Sequence, residues 1–180
     1  MKILITGTYG GCGATSLGLC LSRILSRSGR RVAFISYGAF SGPSDVALYK
    51  LFYKKHSAKE LMEQDAYGVW SFPASGYNSL IGNTTVETDL RIDMADVLVY
   101  DIPACAEQLA FAASVCDVRI AVDSADGAAA DVLSARFAKP FVRFTPEYDP
   151  DSFLGSSVDI HGAYGTEVRT LADRLGLLDS

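Results

Sequence analysis

The sequence predicts an α/β protein: a three-layer, doubly wound, mostly parallel sheet with helices on both faces. Three observations carry this. Short apolar runs alternate with stretches of helical period along the 180 residues, the pattern of a sheet covered on both sides. The run Ile3-Leu4-Ile5 leads into a glycine-rich segment and then into a helix-like stretch, a strand–loop–helix unit. With 49% hydrophobic residues the chain can bury one full core, so residues 1–180 read as a single domain.

The first strand is expected over residues 2–6. In the helix that follows the loop, Leu17, Cys20, Leu21, Ile24 and Leu25 recur at i, i+3, i+4, i+7 and i+8, an apolar stripe for the sheet. Ser22, Arg23, Ser26 and Arg27 fall on the opposite face, Gly29 marks the stop, and Gly18 is small enough to let the helix lie close. A second strand is expected over residues 31–37, then a loop over 38–44, a helix over 45–55 and a short helix over 57–62. A third strand is expected over 69–73, a polar helix over 86–93, and a fourth strand over 96–100 that ends at Asp101. An alanine-rich helix, a fifth strand over 117–122, a helix over 127–137 and a sixth strand over 140–144 complete the alternation. Residues 145–166 read as irregular, with a short strand at 158–160, and the last helix carries Val168, Leu171, Ala172 and Leu175 on one face. Right-handed crossovers place the glycine-rich loop at the carboxyl edge of the sheet, where α/β folds bind ligands.

That loop is Tyr9-Gly10-Gly11-Cys12-Gly13-Ala14-Thr15-Ser16. Its glycines let the backbone bend so that successive N–H groups point inward, and the next helix adds the positive end of its dipole. The segment reads as a phosphate cradle, although the same glycines also suit a turn in an unrelated α/β protein. Asp101, at a strand tip before Ile102-Pro103-Ala104, can hold a water on Mg²⁺, which prefers to retain several waters. It equally suits a cap on the following helix.

The window Tyr9 to Ser16, paired with Asp101, resembles the MinD/ParA superfamily of P-loop ATPases, whose loop reads Lys-Gly-Gly-x-Gly-Lys-Thr-Thr/Ser. Tyr9 and Ala14 stand where that pattern has its two lysines, and the Gly-Gly-x-Gly-Ala variant is most similar to the atypical TadZ/CpaE pilus-assembly branch. The resemblance implies a nucleotide site for ATP or ADP. Residues Tyr9, Gly10, Gly11, Cys12, Gly13, Ala14, Thr15 and Ser16 would contact phosphates, and Thr15 and Asp101 would serve Mg²⁺. Thr15 and Ser16 also suit ordinary first-turn helix positions. The family's Asp-x-Asp after strand two is Ser36-Tyr37-Gly38 here, and no asparagine follows strand six to read a purine. Arg143 or Phe144 could stack on a base or pack as an ordinary edge.

What the resemblance implies is therefore a degenerate member: weak ATP·Mg²⁺ binding with little or no hydrolysis, and no assigned catalytic residue. Its role would be a homodimeric scaffold or localisation factor, the protein partner of a larger assembly such as a pilus or secretion apparatus. A slow ATPase is the alternative, with a substitute cation from Lys50, Lys54, Lys55 or Lys59, four of the six lysines. A nucleotide-independent interaction module is the other.

Composition narrows the classes further. A net charge of −5 argues against nucleic-acid binding by bulk electrostatics. No apolar run is long enough to span a bilayer and no secretory leader is legible, so a cytoplasmic protein is expected. The four cysteines, Cys12, Cys20, Cys105 and Cys116, show no metal spacing and read as small buried hydrophobes.

Overall fold

The computed structural model describes residues 1–7, 12–37, 63–73, 95–106, 108–123, 127–147 and 160–178. The helices expected over 45–55, 57–62 and 86–93 lie outside them, as do residues 158 and 159 of the expected short strand. Within the described residues the order is β1 (Lys2–Gly7), α1 (Ala14–Arg27), β2 (Val32–Ser36), β3 (Glu63–Gln64), β4 (Trp70–Pro73), β5 (Val97–Asp101), α2 (Gln108–Val115), β6 (Val118–Val122), α3 (Ala129–Phe137), β7 (Val142–Phe144) and α4 (Ala163–Arg174).

The strands form one sheet in the order β3-β4-β2-β5-β1-β6-β7. Six run parallel, and β3 pairs antiparallel with β4 at the edge. β1 sits between β5 and β6, so its carboxyl end, where the glycine loop begins, opens at the middle of the sheet. Alternation along each strand divides the core in two. Ile3 and Ile5 join Val32, Phe34, Val97 and Val99 under α1 and α4. Leu4 joins Ala33, Ile35, Tyr100 and Ala121 under α2 and α3. This is the three-layer, doubly wound architecture expected from the apolar alternation.

The stripe on α1 is buried as expected, with Leu17, Cys20, Leu21, Ile24 and Leu25 all fully covered. Burying one such Leu or Ile side chain is worth about 1.5–3 kcal/mol, so this face alone anchors the helix. Gly18 lets it approach: a Cβ there would come within 2.5 Å of the Phe34 ring. At the far end Gly29 takes φ 92°, and its N–H donates to the Ser26 carbonyl at 3.0 Å.

The polar face of α1 differs from expectation. Ser22 and Arg23 are buried, not solvated. The turn joining β3 to β4 packs over them. The Arg23 guanidinium donates to Asp65 at 2.8 Å and lies 4.9 Å from the centre of the Tyr67 ring. Ser26 donates to the Tyr67 carbonyl at 2.7 Å, and the Ser22 hydroxyl returns to the Gly18 carbonyl. A helical wheel cannot register this cover, because it comes from a hairpin some forty residues away in sequence.

The cysteines also divide. Cys20 and Cys116 are buried, whereas Cys105 is exposed and Cys12 half-buried. Burial pushes the Cys116 thiol up to about 12, so the small-hydrophobe reading holds for the buried pair alone. Among the described residues no helix is long and apolar enough to cross a membrane.

Candidate functional site

Gly7 closes β1, and a Cβ there would fall 1.9 Å from the Cys12 sulfur and 3.2 Å from the Ala14 Cβ. Glycine at this point lets the returning end of the loop fold back onto the strand. Gly13 then caps α1 in the left-handed region at φ 90° and ψ 11°. Space is not the reason for that glycine, since an added Cβ would meet nothing within 4 Å; the torsion is. The Gly13 carbonyl accepts from the Leu17 N–H at 2.9 Å. No side chain caps the helix and no acidic residue occupies its first turn. Among the described residues the first N–H groups of α1 thus donate to no capping side chain, and their positive field faces the carboxyl edge of the sheet.

Gly13→Ala forces a left-handed alanine at a cost of about 1–2 kcal/mol. Gly29→Ala imposes the same strain at the other end of α1, again with open space around it. Both variants should lose melting temperature by similar amounts, measured by calorimetry. Only Gly13→Ala should weaken nucleotide binding. Equal weakening by both would detach the Gly13 torsion from the site.

Asp101 is the second part of the site. It ends β5, in register with Ile5 on one side and Ser36 on the other, and is 3% exposed. The Thr15 hydroxyl donates to its Oδ2 at 2.7 Å, and the Ser36 hydroxyl donates to the same oxygen at 3.0 Å. Burial raises the Asp101 carboxyl above its ordinary range, while the two hydroxyl donors pull it back. Among the described residues Asp101 makes no hydrogen bond to the helix Gln108–Val115; its partners are the two hydroxyls.

A carboxylate that does meet a helix start is Asp123, which sequence reasoning passed over. Asp123 follows β6 and is buried; its Oδ2 accepts from the Ala129 N–H at 2.7 Å at the start of α3 and lies 3.4 Å from the Arg143 guanidinium. Gly127 makes room, since a Cβ there would fall 1.7 Å from Asp123 Oδ1. The signal was available: like Asp101, Asp123 follows an apolar run.

Of the residues singled out from sequence, Cys12, Gly13, Ala14, Thr15 and Ser16 are placed at the carboxyl edge around the start of α1, and Thr15 is joined directly to Asp101. Tyr9, Gly10, Gly11, Gly38, Lys50, Lys54, Lys55 and Lys59 lie outside the described residues. Phe144 is not available to a base, because it is buried with its ring 6.4 Å from Tyr164 in an edge-on pair. Arg143 is half-exposed and engaged with Asp123.

The donor set suits a hard cation. One hydroxyl and one carboxylate lie side by side, and Mg²⁺ is commonly held by one or two carboxylates together with phosphate oxygens and waters. Among the described residues no cluster of three His, Cys, Asp or Glu could hold a metal by itself. A cation held by this pair would complete its shell from elsewhere, with waters and phosphate oxygens the usual ligands.

No protein-family model matches the chain, and no curated protein sequence does. Solved structures do. A plasmid partition protein from Borrelia burgdorferi bound to AMPPNP superposes with a TM-score of 0.68 at 15% identity, covering 98% of both chains. The MinC:MinD cell division complex of Aquifex aeolicus gives 0.53 at 18% identity, over 81% of this chain and 68% of that one. The kinase domain of the Escherichia coli tyrosine kinase ETK gives 0.53 at 16% identity, over 86% and 71%. These likenesses, spread over most of the chain, show that the protein has the three-layer P-loop NTPase fold shared by plasmid partition and MinD proteins.

Proposed function

We propose that the protein binds ATP or ADP with Mg²⁺ at the carboxyl edge of β1, turns it over little or not at all, and acts as a homodimeric scaffold or localisation factor. The observation that carries the nucleotide reading is the 2.7 Å bond from Thr15 to the buried Asp101, made at a helix start with no side-chain cap. Main-chain amides between Tyr9 and Thr15 grip the phosphates, with Ser16 beside them. Thr15 and Asp101 face the cation. The AMPPNP held by the Borrelia partition protein supports the same ligand class.

Weakness follows from Tyr9 and Ala14, neither of which brings a cation to the loop. A charge-assisted hydrogen bond contributes about 1.5–3 kcal/mol, so each one missing weakens binding by roughly one to two decades. Turnover suffers more. One preorganised donor to a developing charge is worth about 10²–10³-fold in rate, and Ser36 and Gly38 offer no carboxylate to orient water. The MinD structure in complex with MinC supports a protein partner as the output. The loop variant favours a pilus or secretion assembly.

Isothermal titration with ATP·Mg²⁺ and with ADP is the test, run beside sedimentation of the protein with and without nucleotide. Heat with a dissociation constant above the micromolar range, and a dimer, are expected. Absence of heat and of any thermal shift at millimolar ATP would overturn the nucleotide reading. A monomer under every condition would overturn the dimer.

A further inference from the structure

Ser36 closes β2 on the face shared with Val32 and Phe34, the same face that α1 covers. It is 2% exposed, and its hydroxyl donates to Asp101 Oδ2 at 3.0 Å. Thr15 donates to that oxygen from the opposite element at 2.7 Å. Two protons from two elements thus converge on one carboxylate oxygen, and among the described residues Oδ1 accepts no hydrogen bond. A hydroxyl has one proton and two lone pairs. With its proton committed to Asp101, Thr15 has only lone pairs left for a neighbour, which is the orientation a cation requires.

We infer that Ser36 is a positioning residue acting through Asp101. It holds the carboxylate in the rotamer that turns the Thr15 proton inward and leaves Oδ1 uncommitted. A neutral donor achieves this without adding a second buried negative charge next to Asp101, where like charges would repel at short range. The loop brings no lysine at position 14 to balance such a charge. The inference rests on the reading that the site takes nucleotide with Mg²⁺, and it assigns the serine a specific part in the Mg²⁺-dependent share of that binding.

The test compares Ser36→Ala and Ser36→Thr with the natural protein, using a fluorescent ATP analogue titrated in EDTA and in excess Mg²⁺. Ser36→Ala is expected to leave the EDTA affinity unchanged and to cut the affinity gained on adding Mg²⁺ by about tenfold, or 1.4 kcal/mol. Ser36→Thr, which keeps the hydroxyl, is expected to restore it. In the nucleotide-free protein, the ¹³C resonance of the Asp101 carboxyl should move in Ser36→Ala and return in Ser36→Thr. An unchanged Mg²⁺ gain in Ser36→Ala, or an equal loss in EDTA and Mg²⁺, would overturn the inference. Should the natural protein bind no nucleotide at all, the functional reading fails and the carboxyl resonance alone decides the positioning. A resonance that Ser36→Ala leaves in place would then end it.

Discussion

Asp101→Asn is expected to stabilise the free protein while removing the Mg²⁺ dependence of nucleotide binding. Burial raises the Asp101 carboxyl above 3.8, its ordinary value, so the folded state holds this proton more tightly than the unfolded chain does. A group raised in this way favours folding at pH below the unfolded value, and that contribution is lost as pH rises through the folded value. At neutral pH the buried carboxylate is therefore a cost. Asparagine keeps an oxygen to accept from Thr15 and Ser36 but carries no charge. Each kcal/mol recovered by removing this charge would raise the melting temperature by about 2–4 °C in a domain of this size. The advantage of Asp101→Asn should shrink as the pH is lowered toward the carboxylate range, where the natural residue also becomes neutral. Calorimetry across pH, paired with ATP titration in EDTA and Mg²⁺, checks both halves. A lower melting temperature at neutral pH would contradict the electrostatic cost. A Mg²⁺ gain as large as in the natural protein would remove Asp101 from the cation site.

Gly18→Ala is expected to destabilise the protein, against the ordinary effect of that substitution in a helix. An exchange of glycine for alanine inside a helix normally gains about 1 kcal/mol. Here the new methyl would fall 2.5 Å from Phe34 Cε2 and 3.3 Å from its Cζ. Phe34 is 1% exposed within the core beneath α1, so its ring has nowhere to swing. Overpacking of this kind costs about 1–3 kcal/mol, and Gly18→Val should reach the upper end. Phe34→Leu alone should also destabilise, by leaving a space. The double variant Gly18→Ala, Phe34→Leu should be more stable than the sum of the two losses, because each change relieves the other. Chemical denaturation of the four proteins measures the coupling. Additive losses would mean that the helix and strand two are not packed as tightly as the Gly18 contact requires.

Among the parallel strands, β1, β2 and β5 were the most legible because each is a short apolar run, and a strand buried on both faces can be little else. The antiparallel β3 was not. Two residues carry no period, and Glu63 and Gln64 are strand only because Ser71 and Trp70 lie across from them. The same hairpin explains the burial of Ser22 and Arg23: residues suited to solvent were covered by Asp65 and Tyr67 through a guanidinium bond and a ring contact. Part of the site was legible for a different reason. Gly13 must be glycine at φ 90°, and a glycine-rich turn before a helix announces its own backbone geometry.

Asp101 and Asp123 mark where local reading stops. Asp101 ends the apolar strand Val97–Asp101 and Asp123 follows Val118–Val122; from sequence Asp101 suited a cap or a cation, and Asp123 drew no reading. Their roles separate only in three dimensions. Pairing of β5 between β1 and β2 brings Asp101 to Thr15, 86 residues away, and to Ser36, 65 residues away. Asp123 instead meets the start of α3 and Arg143. Patterns of apolar spacing and backbone torsion act over a few residues, so they determined the layers, the central strands and the left-handed turn at Gly13 by themselves. Which polar group meets which is decided by strand order and by which face of the sheet each side chain leaves. Those are properties of the assembled sheet, and they alone made Ser36 and Thr15 partners of one buried carboxylate.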